Sequence, residues 1–204
     1  MNNQDRTYSP KEIAAFEGLF SIAKNGRLLS DIKVQDIATA AGIGKGTLYE
    51  YFSSKEDILS GSIVYALNTM TDRFDEIVSR AATFRSCLEG IFDELNQNEK
   101  LPLAVISSMV CSMSSEQYSV VKERSHAYHI LHTTGRMKQT LADILAIGRR
   151  TGEIDEKLSD LFCEYTLMSA IFGQTTANLF ANGTQKKPVD RDIVVTMVSR
   201  ALRP

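Results

Sequence analysis

The chain has 204 residues, 43% hydrophobic and 24% charged, with 23 basic against 25 acidic side chains and a net charge of −2. This is enough for one or two compact units with a substantial core, and it excludes a strongly basic tail or a global field that would coat nucleic acid. The 3 cysteines are far apart and include no CxxC pair, which argues against a disulfide framework or structural zinc site and fits a reducing cytoplasm. The polar start "MNNQDRTYSP" gives no reason to expect a secretion signal. Residues 165–185 carry no charge, but Thr166, Ser169, Gln174, Thr175, Thr176 and Asn178 make the stretch too polar for a membrane span. A buried helix in a soluble assembly is expected there.

Apolar residues recur at helical spacing nearly throughout, so the expected fold class is all-α. The first helix opens on Ser9-Pro10-Lys11-Glu12, a capping box with proline at the first helical position. Ile13, Phe16, Leu19, Phe20 and Ala23 follow on one face, and Asn25-Gly26 ends it. After the loop "RLLSDI", a short helix is expected from about Lys33 to Ala41, with Val34, Ile37 and Ala38 inward and Gly42 as its left-handed stop. A second short helix follows over about 45–52, and "SSKED" caps a longer one to about residue 79. Further helices are expected over about 84–98, 101–113, 117–131, 134–150, 156–182 and 189–203, with breaks at Leu101-Pro102, Thr151-Gly152 and "ANGTQKKPVD".

The segment "GIGKGTLYEYF", residues 42–52, places three glycines in five positions. A phosphate loop for nucleotides requires GxxxxGK followed by Ser or Thr, whereas Gly46 follows Lys45 and Thr39 stands at the first glycine. The dinucleotide spacing fails too, and both motifs need a preceding strand. A helix-turn-helix is satisfied instead: Ala38 is the small mid-helix residue, Gly42 takes the turn, Ile43 plugs the core, and Leu48 and Phe52 face inward from the second helix.

The stretch "VQDIATAAGIGKGTLYEYFSSKEDIL" resembles the N-terminal domain of TetR/AcrR-type transcriptional repressors. Ile37, Ala38, Ala41, Gly42, Ile43, Gly46, Leu48, Tyr49, Tyr51, Phe52, Lys55, Glu56 and Ile58 or Leu59 fill that pattern without a gap. The resemblance covers about residues 10–65, with Gly44 where a serine often caps the recognition helix. Together with the side-chain chemistry it implies that Lys45, Gly46, Thr47 and Tyr49 meet base edges or sugars in the major groove. Tyr51 and Lys55 would meet phosphate, and Lys33 and Gln35 are weaker phosphate candidates.

In the remaining chain, Ser169, Gly173, Ala177 and Ala181 form a small-residue stripe on the uncharged helix, and Ile193, Met197 and Val198 lie on the last helix. The resemblance implies that these two helices from each subunit form a four-helix dimer interface. Candidate effector-pocket residues are Phe92, Met109, Met113, Tyr118, Tyr128, His129, Tyr165, Met168 and Phe172. His126, His129 and His132 would fan over one helix, but no adjacent Glu or Cys completes a ligand set and no metal site is assigned.

Three parts are therefore expected: a flexible N-terminus over 1–9, a three-helix DNA-binding domain over 10–65 with its motif near 33–52, and an effector-binding and dimerisation domain over 66–204. The expected function is a cytoplasmic, homodimeric, sequence-specific regulator, a repressor released from a palindromic double-stranded operator by a small-molecule effector. No cofactor and no membrane partner are expected. No nucleophile elbow, paired-carboxylate motif or HExxH points to an enzyme. Constitutive or protein-partner control, or activation, stays open beside effector control.

Overall fold

A computed structural model describes residues 6–25, 27, 29–97, 103–111, 113–182 and 189–204. Among them are ten α-helices and no strand: α1 Pro10–Lys24, α2 Val34–Ala40, α3 Lys45–Tyr51, α4 Lys55–Arg80, α5 Phe84–Gln97, α6 Leu103–Cys111, α7 Ser115–Ser125, α8 Ile130–Arg150, α9 Asp160–Asn182 and α10 Arg191–Leu202. Short 3₁₀ turns lie at Leu29–Asp31 and His126–Tyr128. Among the described residues no helix is long and apolar enough to cross a membrane. Gly26, Leu101-Pro102 and most of the expected break before the last helix lie outside the described residues, as do the side chains of Ala181 and Cys111.

The chain forms two compact units. The first takes in Met1–Asn68 with Val105–Thr134, the second Thr69–Ala104 with Gly135–Pro204. The expected division was at 65/66, whereas this compact grouping places 105–134 with the N-terminal residues. Ile106, Met109, Val121 and Tyr128 are buried in one cluster with Phe16, Leu48 and Leu59. Burying apolar surface decides the grouping, whatever the separation along the chain.

In the first unit, the capping box of α1 forms as its sequence requires: Glu12 N–H donates to Ser9 Oγ at 3.3 Å and Ser9 N–H donates to Glu12 Oε2 at 2.8 Å. Phe16, fully buried, meets Tyr8, Phe52 and Tyr65 at ring-centroid distances of 5.4, 5.6 and 5.5 Å. Two glycines make room for this packing. A Cβ on Gly18 would lie 2.9 Å from the Ala41 backbone N, so α1 crosses the end of α2 at backbone contact. A Cβ on Gly61 would lie 2.7 Å from ring carbons of both Phe16 and Tyr128.

The expected continuous helix over 117–131 is interrupted. α7 ends at Ser125, a 3₁₀ turn follows, and His129 adopts a left-handed conformation at φ 62° before α8 begins. His126, His129 and His132 therefore do not share one helix, and their expected fan is not formed.

The second unit buries Phe84, Cys87, Leu88, Ile91 and Phe92 of α5, Cys163 and Leu167 of α9, and Val194, Val195 and Val198 of α10. Helices α5, α9 and α10 pack on one another. The Glu153 carboxylate caps α5, accepting from Phe84 N–H at 2.7 Å and Arg85 N–H at 3.1 Å. Partial burial pushes the Glu153 pKa up, but hydrogen bonds from Thr151 and these two amides outweigh it and leave the pKa below the ordinary value of 4.5. Glu153→Ala should cost about 1 kcal/mol, as loss of a helix cap does. The contribution is present above the ordinary carboxylate range and fades as pH falls through the lowered folded value. Chemical denaturation at pH 7 and at about pH 3 should show the gap between wild type and variant narrowing in acid.

Candidate nucleic-acid interface

The turn between α2 and α3 has both hydrogen bonds of a Schellman stop. Ile43 N–H donates to Ala38 O at 3.0 Å, and Gly42 N–H to Thr39 O at 3.2 Å, with Gly42 at φ 68°. Gly44, in extended conformation, serves as the N-cap of α3 through its carbonyl, which accepts from Leu48 N–H at 3.0 Å. Leu48 and Phe52 are buried beneath α3, while Lys45, Gly46, Tyr49, Glu50 and Tyr51 are exposed and Thr47 is half-buried. Nothing lies within 4 Å of where a Gly46 Cβ would sit. The helix thus offers one apolar side to its own core and one open, backbone-accessible side to a partner.

Two lysines flank the exposed tyrosines. Lys45 Nζ lies 5.9 Å from the Tyr49 ring centroid, and Lys11 Nζ, from α1, lies 5.9 Å from that of Tyr51. Lys33 and Gln35 are exposed at the start of α2, where the Asp36 carboxylate accepts from Lys33 N–H at 3.0 Å. That backbone hydrogen bond, with help from Arg27, lowers the Asp36 pKa despite the opposing desolvation.

Lys55 is less available than its sequence position suggests. Its Nζ donates to Leu29 O at 2.5 Å, and partial burial lowers its pKa. Its carbonyl partner lies 26 residues away, beyond any local signal.

The first turn of α4 is fixed from two directions. Asp57 Oδ2 accepts from Ser53 N–H at 2.9 Å, and Asp57 Oδ1 accepts from the Tyr128 hydroxyl at 3.0 Å. Arg124 donates to Ser53 Oγ at 2.8 Å, and the Arg6 guanidinium sits 4.3 Å from the Tyr128 ring centroid. Burial first, then the Asp57 charge, raises the Tyr128 pKa, so its hydroxyl stays a donor. Tyr128 thus ties the first turn of α4 to the core of the first unit.

Residues 29–61, from the 3₁₀ turn through α2 and α3 to the first turns of α4, match the model of the bacterial regulatory proteins of the tetR family. Over this segment the chain is similar to the TetR family.

The fatty acid metabolism regulator protein of Bacillus subtilis (strain 168) is 27% identical over 144 residues, 67% of this chain and 66% of that protein. The match spans just under two thirds of that relative. Among solved structures, FadR from Bacillus subtilis in complex with stearoyl-CoA superposes with a TM-score of 0.69 at 24% identity, covering 97% of this chain and all of that one. Reduced NemR from E. coli gives 0.70 at 16% identity, covering 94% and 97%. The fold of these two structures is thereby shared across nearly the whole chain.

The remaining expected residues fall into separate settings. Met109 and Tyr128 are buried in the first unit's core, with Met113 packed against it, and Phe92 is buried in the second unit. Tyr118 and His129 are exposed in the first unit. Tyr165, Met168 and Phe172 lie exposed along one side of α9 with Leu161, Ser169 and Gly173. Ile193 and Met197 are likewise exposed on α10, while Ala177 is half-buried. Val198 is fully buried in its own unit. The stripe Leu161, Tyr165, Met168, Phe172 recurs at helical spacing. An inside–outside count along α9 could have found it, since Cys163, Leu167, Ala170 and Gln174 occupy the buried side.

Proposed function

We propose that the protein acts as a homodimer whose two α3 helices enter successive major grooves of a palindromic operator, and that a small amphipathic molecule releases it. The observation that carries this reading is α3 itself, with Leu48 and Phe52 buried and Lys45, Gly46 and Tyr49 open to a partner. Lys45 and Thr47 suit base edges, while Tyr51 and the N–H groups at the α4 terminus suit phosphate. Lys33 and Gln35 would add contacts at the edge of the same surface.

Pairing would occur through the exposed side of α9 and α10. Large apolar side chains in a contiguous patch favour burial against a second copy, and Gly173 leaves open space beside them. Phe172→Glu should convert the dimer to a monomer, read by light scattering, and weaken operator binding at least tenfold by removing the second half-site. A variant that stayed dimeric would contradict this pairing face.

The relatives named above make a long-chain acyl thioester the first effector to try. Fluorescence anisotropy on a duplex from the protein's own upstream region, at low salt, tests both parts. Stearoyl-CoA should weaken binding about 5- to 150-fold, corresponding to a coupling of roughly 1–3 kcal/mol, while free coenzyme A should not. No binding to the duplex would contradict the DNA reading. Stabilisation by stearoyl-CoA with unchanged operator affinity would contradict the switching reading.

A further inference from the structure

The cations of the first unit differ in how far they are already engaged. Arg6 pairs with Glu12 at 2.7 Å, Arg27 with Asp36 at 2.9 Å, and Lys55 donates to the Leu29 carbonyl. Lys11, Lys33 and Lys45 have no ion pair among the described residues, and all three are exposed. Lys33 and Lys45 belong to the helix-turn-helix itself. Lys11 does not: it sits in the first turn of α1, forty positions before Tyr51 in the sequence.

Packing brings it there. Gly18 lets α1 approach the end of α2 at backbone contact, and Phe16 meets the Phe52 ring at 5.6 Å, immediately after Tyr51. These contacts hold the first turn of α1 beside the C-terminal end of α3. Each exposed tyrosine of α3 consequently carries a lysine at the same 5.9 Å separation, Lys45 with Tyr49 and Lys11 with Tyr51. An ammonium over a ring face is attracted to it while keeping N–H donors for an anion.

Resting on the DNA-binding reading above, we infer that Lys11 and Tyr51 form a clamp on one phosphate of the operator backbone, contributed jointly by α1 and the recognition helix. The partner is phosphate and not a base because base edges are met by the N-terminal part of a recognition helix, and the clamp lies at the other end. Its contribution is therefore independent of sequence and dependent on salt.

The test uses full-length Lys11→Gln, Lys11→Arg and Lys24→Gln, the last at the far end of α1. Binding to an upstream duplex and to a scrambled duplex of equal length is measured by anisotropy from about 50 to 200 mM salt. Losing one phosphate contact per protomer lowers the slope of log K against log salt by about 0.9, or about 1.8 for a dimer. The advantage of wild type over Lys11→Gln should then shrink about tenfold across that range. Preference for the upstream duplex should stay unchanged, and Lys11→Arg and Lys24→Gln should keep the wild-type slope. A wild type that binds while Lys11→Gln keeps its slope would overturn the clamp. A wild type that binds neither duplex would overturn the DNA-binding reading and the clamp with it.

Discussion

Replacing Phe16 with alanine is expected to cost roughly 3–5 kcal/mol, the range for truncating a buried aromatic ring. Phe16 is fully buried and meets Tyr8, Phe52 and Tyr65 in edge-on or tilted contacts. The chain around it is shaped to the ring, since any side chain at Gly61 would collide with it. Against a typical total of roughly 5–15 kcal/mol, about a fifth or more of the stability disappears. Denaturation followed by circular dichroism would register it. A loss under about 1 kcal/mol, the size of an ordinary mutational effect, would mean that this cluster is not the keystone of the first unit. Phe52 follows α3 directly, so the same variant should also lose DNA affinity as the recognition helix loosens.

Gly46→Glu should produce the opposite separation, with stability kept and DNA binding lost. The site is exposed and nothing lies within 4 Å of the added Cβ, so the fold accommodates the side chain. Glutamate also favours helix over glycine by about 0.5 kcal/mol. Facing DNA, the same side chain blocks the close approach that glycine permits and sets a carboxylate against phosphates. Such like-charge juxtaposition costs several kcal/mol, a loss of at least about 100-fold at 1.4 kcal/mol per decade. Parallel thermal unfolding and anisotropy would show both effects. Retained affinity would remove α3 from the interface.

The local grammar of the DNA-binding half was legible because its signals are short-range. Ser9 and Glu12 cap α1, Gly42 stops α2, and Leu48 and Phe52 turn inward, each at the position its residue type dictates. What escaped depends on packing across long sequence separations. Lys55 reaches Leu29, Tyr128 reaches Asp57, and Lys11 reaches Tyr51, all beyond any periodicity. The break at His129 carried no glycine to announce it, the residue that most often marks a positive φ. For Tyr165, Met168 and Phe172 the sequence was not decisive, because large apolar side chains suit a ligand wall and a pairing face equally. Only their exposure separates the two.

The most direct test of the whole account is footprinting of the purified protein on DNA from its own upstream region, beside Gly46→Glu. The account predicts a protected site with two symmetric half-sites about one helical turn apart, absent with the variant. Uniform protection that no α3 substitution alters, or none at low salt, would contradict it.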